Sequence, residues 1–350
     1  MAKITYKGVG ISAVAACVPK NISSNYEMDH LMSKEEIEKT VNSIGIKEKR
    51  FADNGVCASD LCAKAAEKLF EDNNIDRESI DMLLFVSQTP DYKIPGTAPI
   101  IQDKLKLSKN TACLDLSIGC SGYIYGLSTA FSYASTEGIN RVLLLVGDTF
   151  SKIVNPKDKV NAPLYGDAGT ATLIEKGDFS ESFFNLFADG SGSTSIFIPA
   201  GQCRMPSTKH TSSELKDTDD SIRSQNELFM SGMDVFNFSL RAVPNSINKM
   251  LSQASISLED VDIIVLHQAN RFMTDFLIKR LKYKSGLVPY CLEKFGNTSS
   301  PSIPLTISSE LSNHPIENKK VILCGFGAGL SWGTFYGEFG KCNISETIDY

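Results

Sequence analysis

The 350-residue chain is short of several things, and each shortage closes a class of function. It has one tryptophan and four histidines, and its nine cysteines include no Cys-x-x-Cys pair. An odd number of scattered thiols does not make a disulfide framework, and the cysteines and histidines never cluster at metal-ligand spacing. No metal is expected. No apolar run approaches the roughly 18 residues needed to span a bilayer. Met1 to Lys7 lacks the apolar centre of a secretory leader, so a cytoplasmic protein is the expectation. The formal net charge of −6 gives no basis for bulk nucleic-acid binding. What remains is an ordinary globular composition, in a chain long enough for one large core or two similar ones.

Buried strands are legible as continuous apolar runs at Met82 to Val86, Val142 to Val146 and Ile263 to Leu266. Such runs mark sheets covered on both faces. Lys3 to Val18 reads as one opening strand, and Met28 to Val41 as a surface helix. Ser59 reads as the N-cap of a helix over 60–70, with Leu61, Ala65, Ala66 and Leu69 facing inward. A further helix is predicted from Ala98 to Leu105, and Met205 to Gln225, nearly free of apolar residues, reads as a surface loop. The second half repeats the first. Ile75 and Ile256 precede matching strands at an offset of 181, and Val142 and Val321 lie in matching strands at an offset of 179. These offsets point to a duplicated α/β unit, divided as 1–177 and 178–350. On that register Cys120 corresponds to Asn297 to Ser300, and Ser87 to Gln268, beside His267.

One stretch organises the rest: Leu114-Asp-Leu-Ser-Ile-Gly-Cys120-Ser-Gly-Tyr-Ile-Tyr-Gly-Leu127. It reads as a strand over 113–117, a turn at Gly119, and a cysteine opening a helix that Gly138 stops. A thiol there faces the positive end of the helix dipole and free N–H groups, which favour the thiolate. Alone, such a cysteine is commonly just a small core residue. His267 ends a buried strand, where α/β proteins keep their sites, yet a satisfied structural histidine fits equally well. Asn297, in Gly296-Asn-Thr-Ser, reads first as a turn or cap residue. Gly325-Phe-Gly-Ala-Gly-Leu-Ser-Trp-Gly333 lacks the dinucleotide spacing and reads as tight backbone whose N–H groups can approach a ligand.

Taken together, these four stretches resemble the signatures of ketoacyl synthase III, the 3-oxoacyl-[acyl-carrier-protein] synthase III family. Lesser matches are Gly45-Ile-Lys-Glu-Lys-Arg50, Thr89-Pro-Asp-Tyr92, Gly166-Asp-Ala-Gly169 and Met230-Ser-Gly-Met-Asp-Val-Phe236. The resemblance implies an α/β, thiolase-like fold, two duplicated halves making a five-layered αβαβα sandwich, and a homodimer. It also implies an acyltransferase that performs a decarboxylative Claisen condensation and initiates fatty acid synthesis. An acyl-CoA would load Cys120; malonyl-acyl-carrier protein would then lose CO₂ and attack, giving a 3-oxoacyl-carrier protein. Cys120, His267 and Asn297 are the implied catalytic residues, and the backbone N–H groups of Cys120 and Ala328 the implied oxyanion donors. The thioesters are substrates, and no cofactor is implied.

On the same basis, Arg271, Lys279 and Arg280, on a helix read from Arg271 to Lys284, are implied carrier-protein contacts. Ile94, Leu228 and Met230 are implied acyl-pocket residues, with Ile94 reaching across a dimer interface. The sequence departs from the family at three places. Lys39 stands where a tryptophan often stacks on the CoA adenine, Ser43 where an arginine is usual, and Phe272 at the key basic position. These departures keep open a specialised condensing enzyme with a carrier-bound donor, making a quinolone, polyketide or surface-glycan acyl group. The order Cys, His, Asn also occurs in papain-like hydrolases, whose local signature around the cysteine is missing here. A catalytically idle binding subunit would keep the fold and form no acyl-enzyme.

Overall fold

The computed structural model describes residues 2–217 and 219–350. The apolar runs build two sheets. The first orders its strands Asn343–Ile344, Val9–Val18, Asp167–Lys176, Arg141–Thr149, Met82–Val86 and Ala112–Leu116, with Ile348–Asp349 also on Val9–Val18. The second runs Ala2–Tyr6, Ser182–Ala188, Ser331–Phe339, Lys319–Gly327 and Ile263–Leu266. From Val9–Val18 in the first and Ser182–Ala188 in the second, each has two antiparallel joins followed by a parallel one. Met82–Val86 thereby matches Ile263–Leu266, and Arg141–Thr149 matches Lys319–Gly327, the pairs that the sequence offsets single out.

The helices are α1 (Lys34–Ile44), α2 (Ala58–Asn73), α3 (Thr97–Lys104), α4 (Gly122–Ala134), α5 (Gly232–Ala254), α6 (Arg271–Leu281), α7 (Leu292–Phe295) and α8 (Ser302–Leu311). Successive strand residues point to opposite faces, so each sheet feeds two helix layers. Leu83 and Leu143 face outward onto Leu61, Leu69 and Ile101 of α2 and α3. Leu84 and Leu144 face inward, where Leu127 and Phe131 of α4 and Ile303 and Ile307 of α8 meet them. Val265 and Leu323 close that central layer from the second sheet. Beyond it, α5 and α6 pack Val243, Ile247 and Leu277 on Ile264 and Ile322. The result is the five-layered αβαβα sandwich. Truncating a central leucine such as Leu144 to alanine would cost about 2–5 kcal/mol.

Several local readings are corrected. The single opening strand is two strands in different sheets, parted at Gly8, whose φ of 66° suits a reversal. The chain ends therefore cross: Ala2–Tyr6 joins the second sheet, and Asn343–Ile344 returns to the first. α1 starts later than expected, at a capping box in which Ser33 and Glu36 satisfy each other's backbone N–H groups. α2 is capped at Cys57, not Ser59, because the Asp60 carboxylate accepts the Cys57 N–H at 2.7 Å and Ser59 donates to Asp91 at 2.8 Å. α4 ends at Ala134, short of Gly138, and α6 ends at Leu281, where Lys282 turns left-handed at a φ of 60°. Met205 to Gln225 is more than a loop. Leu215–Lys216 pairs with Ile222–Arg223, and the buried Arg223 guanidinium meets Asp158 at 2.8 Å. Among the described residues no helix is long and apolar enough to cross a membrane.

Candidate active site

Cys120 lies two residues ahead of α4, beyond its Ser121 cap, so it meets the edge of the dipole rather than the first turn. Gly327, ending its strand in the second sheet, passes so close that a Cβ there would lie 2.7 Å from Cys120 Cβ and 2.9 Å from Sγ. Only glycine fits. The sulfur then faces the backbone N–H groups of Cys120 itself and of Ala328, which stabilise its charged form. Ser299 Oγ stands 3.9 Å away. Burial nonetheless dominates: Cys120 is 6% exposed, and burial pushes its thiol up to about 11. The nearby Asp148 charge pushes the same way. The expected resting thiolate is thus corrected, because desolvation outweighs the helix end and its N–H groups.

His267 follows the buried strand Ile263–Leu266, whose N–H···O ladder carries on from His267 N to Cys324 O at 2.9 Å. The ring is buried, its Nδ1 is 2.7 Å from Ser302 Oγ, and Phe326 meets it edge-on. Ser302 Oγ also receives the Gln268 N–H at 3.4 Å, which leaves its own proton for Nδ1. The remaining ring proton then sits on Nε2. Burial lowers the imidazole to about 3, a hydrogen bond to the Ser299 backbone carbonyl opposing it weakly, so the ring is a neutral donor. Asn297 is held by a short parallel bridge to Tyr165. Its Oδ1 accepts the Ser299 N–H at 2.9 Å, which fixes the amide; among the described residues its Nδ2 has no partner.

Two small lobes meet at the sulfur. One, of about 60 Å³, is walled by Tyr165, Met230, Val235, His267, Asn297 and Phe326. The other, also about 60 Å³, is walled by Phe150, Ile153, Ile198, Leu228 and Ala328. Cys120, His267, Asn297, Leu228, Met230 and Ala328 are thus gathered into one place. Ile94 is not. It is 87% exposed and lines neither lobe. Arg271, Lys279 and Arg280 are exposed on α6, whose preceding residue Asn270 lines the first lobe. Arg271 is engaged by Asp275 at 3.0 Å and by the Tyr290 ring at 3.9 Å. Phe272, 55% exposed, stacks on Phe236. Lys39 extends into solvent and pairs with Glu35 at 2.7 Å.

Sequence reasoning missed Asp148, Ser299 and Ser302. Asp148 lies at the end of a buried strand, much the same signal that singled out His267, but two serines in a serine-rich turn carry no signal of their own. The arrangement offers a sulfur nucleophile, two N–H groups for a developing oxyanion, and two side-chain donors across the cavity for a second one.

Comparison with known proteins follows the same lines. Family models described as 3-Oxoacyl-[acyl-carrier-protein (ACP)] synthase III match residues 114–194 and, for the C-terminal part, 251–338. The chain is 32% identical over 328 residues to a Beta-ketoacyl-[acyl-carrier-protein] synthase III of Caldanaerobacter subterraneus subsp. tengcongensis, covering 93% of this chain and 96% of that one. It is 33% identical over 339 residues to Beta-ketoacyl-[acyl-carrier-protein] synthase III 1 of Bacillus cereus, covering 95% and 99%. The crystal structure of a 3-oxoacyl-(acyl-carrier protein) synthase from Burkholderia xenovorans LB400 superposes with a TM-score of 0.93 at 36% identity, covering 100% and 99%.

Proposed function

The chain belongs to the 3-oxoacyl-[acyl-carrier-protein] synthase III family, and on that premise we propose that Cys120 is its nucleophile, with His267 and Asn297 as partners. The enzyme is an acyltransferase that condenses an acyl-CoA with malonyl-acyl-carrier protein, the step that initiates fatty acid synthesis. The observation that carries the site reading is the convergence at one cavity of a sulfur, two backbone N–H groups facing it, a neutral imidazole and an amide whose Nδ2 has no partner among the described residues.

The Cys120 sulfur attacks the acyl carbonyl, and the N–H groups of Cys120 and Ala328 receive the oxyanion. CoA leaves as the thiol. Malonyl-carrier protein then enters and loses CO₂, and its thioester oxygen takes up negative charge. His267 Nε2–H and Asn297 Nδ2–H donate to that oxygen, and the enolate carbon attacks the acyl-Cys120 carbonyl. The C–S bond to Cys120 breaks, releasing the 3-oxoacyl-carrier protein, and the freed sulfur takes a proton from solvent. A neutral imidazole suits this role because it donates without itself holding charge. Losing CO₂ generates the carbanion, so no base is needed, and asparagine rather than a carboxylate fits position 297. The chemistry calls for no resident cofactor. Nine free thiols fit a reducing cytoplasm.

Two features support a homodimer. Among the described residues Ala112–Leu116 is an unpaired edge of the first sheet with half-buried Cys113, Leu114 and Leu116, and the exposed Ile94 lies in the loop after the neighbouring strand Met82–Val86. A partner pairing there would bring Ile94 to the other acyl lobe. A second reading, a carrier-bound rather than CoA-bound donor, is favoured by Lys39, which offers no surface for the adenine to stack on. Intact mass after mixing with acetyl-, butyryl- and octanoyl-CoA, alongside Cys120→Ala, tests both. Labelling of the parent alone supports Cys120, and the small lobes favour the shorter chains. No label from CoA but a label from acyl-carrier protein supports the second reading. A label that survives in Cys120→Ala sinks the site.

A further inference from the structure

Lys49 is 1% exposed and lines neither lobe at Cys120. Its neighbours Lys47 and Arg50 pair with Glu293 at 2.8 Å and Asp349 at 3.0 Å, but among the described residues no carboxylate pairs with Lys49. Its ammonium donates instead to the neutral Asn25 Oδ1. Asn25 is fixed in that orientation, because its Nδ2 donates to the Ile46 and Pro163 carbonyls at 3.0 and 2.9 Å. Asp167, on the strand packed against Glu48–Phe51, is taken up by the Ala52 and Ser151 N–H groups and the Ser151 hydroxyl. Burial lowers Lys49 to about 8, so the amine still carries its proton at neutral pH. A buried charge with only a neutral partner is costly, and an anion beside it would relieve that cost.

A cavity of about 370 Å³ adjoins Lys49, a volume in the range of small-molecule sites. Lys49 and Phe51, two apart on the strand Glu48–Phe51, share a face and both line this cavity. The ammonium is 5.6 Å from the centre of the Phe51 ring, which places it on the cavity side. Met28, Val154, Pro156 and Ala162 complete an apolar wall, and the exposed Glu27 and His30 mark the mouth. We propose that this cavity is a second binding site, for a small monocarboxylate with an apolar body, whose carboxylate meets the Lys49 ammonium. Among the described residues Asn25 takes one of the three ammonium protons, which leaves two for the ligand. One ammonium, with the Glu27 carboxylate at the mouth, matches a single negative charge better than two. Of the residues lining this cavity only Tyr165 also lines the lobes at Cys120, so an occupant rests against a wall of the reacting cavity without entering it. The site does not depend on the reaction proposed for Cys120.

The test is calorimetric titration of the full chain with octanoate, benzoate and inorganic phosphate. Octanoate or benzoate binds the parent at about pH 7, and phosphate, with no apolar body, binds at least about tenfold more weakly. Lys49→Met keeps the length and removes the charge, and carboxylate binding weakens about tenfold or more. From about pH 7 to 9 the parent's affinity falls about tenfold, as a lysine of about 8 gives up its proton, and Lys49→Met shows no such fall. The other ionisable groups around Lys49 are Glu27, His30, Asp167 and Tyr165, with Glu293 and Lys294 on α7. Burial holds Asp167 at about 6 and keeps Tyr165 protonated, and Lys47 keeps Glu293 ionised, so these three stay as they are across the window. Glu27→Gln, His30→Gln and Lys294→Met retain the fall. Equal affinity in parent and Lys49→Met, a flat parent profile, phosphate as tight as the carboxylates, or no binding at millimolar concentrations each overturns the proposal. If Lys49→Met does not fold, the parent's pH profile decides alone. A carboxylate that enters the lobes at Cys120 instead keeps its affinity in Lys49→Met, and thioester labelling of Cys120 stands or falls separately.

Discussion

Cys120 and Ser299 sit in corresponding places of the two halves, 179 residues apart, and their side chains come within 3.9 Å of each other. The turn around each is approached by a residue at the end of a long strand of the other half, Arg141–Thr149 or Lys319–Gly327. Gly327 reaches Cys120, and Asp148 reaches Ser300, the neighbour of Ser299. Asp148 and Gly327 are themselves 179 apart (327 − 148). One backbone cradle is therefore used twice with opposite fillings. Where the second half supplies a glycine, backbone N–H groups come within reach of a sulfur. Where the first half supplies an aspartate, a buried carboxylate gathers hydroxyls and N–H groups. The fold repeats, and the chemistry comes from where the repeat is broken.

Breaking the Cys120 side has the largest effect. Cys120→Ala forms no acyl adduct with any thioester, whereas Ser299→Ala still does; intact mass distinguishes them. Gly327→Ala comes next. Its Cβ would displace the sulfur from both N–H groups, and acylation should slow by about 10²–10³, the usual loss for one oxyanion donor or more. Stopped-flow release of CoA measures it. His267→Ala and Asn297→Ala leave acylation intact and slow CO₂ release from malonyl-carrier protein by about 10²–10³ each. If acylation falls equally in these variants, the assignment of separate oxyanion sites is wrong.

His267 also sharpens the comparison through pH. Its folded value of about 3 lies below the ordinary 6.5, so only the unfolded chain takes up this proton as pH drops through 6.5. The group contributes nothing to stability above that pH and an increasing penalty from there down to about 3. Urea midpoints of the parent should fall more steeply with decreasing pH than those of His267→Gln. Decarboxylation by the folded enzyme should show no break near 6.5.

The sheets were legible because buried strands write themselves as unbroken apolar runs, and the repeat because two such runs recur at nearly equal offsets, 181 and 179. Cys120, His267 and Asn297 were legible only jointly, since each alone has a common structural reading. The state of the thiol was not. A helix end is visible in sequence, but the burial that outweighs it comes from residues such as Gly327 and Phe326, gathered from elsewhere in the chain. Ser59 failed as a cap for a similar reason: its hydroxyl is taken by Asp91, 32 residues away. The crossing of the chain ends was missed although the pattern changes at Gly8. Lys3 to Lys7 alternates polar and apolar residues, whereas Val9 to Val18 is almost continuously small or apolar, but which sheet each joins is decided by distant partners.

The smallest effect expected lies outside the cradle, on α6. Arg271 already spends its charge on Asp275 and the Tyr290 ring, while among the described residues Lys279 and Arg280 have no ion pair. If this helix guides an acidic carrier protein, the free cations should matter more than the engaged one. Lys279→Ala and Arg280→Ala should each raise KM for malonyl-carrier protein about two- to fivefold, the size of an exposed charge contact of up to about 1 kcal/mol. Arg271→Ala should raise it less. Added salt should erase the differences, because exposed charges are screened over about 10 Å at 0.1 M. Equal KM values in all three would move the docking surface away from α6 and toward the apolar Phe236–Phe272 stack at its start, which salt would not weaken.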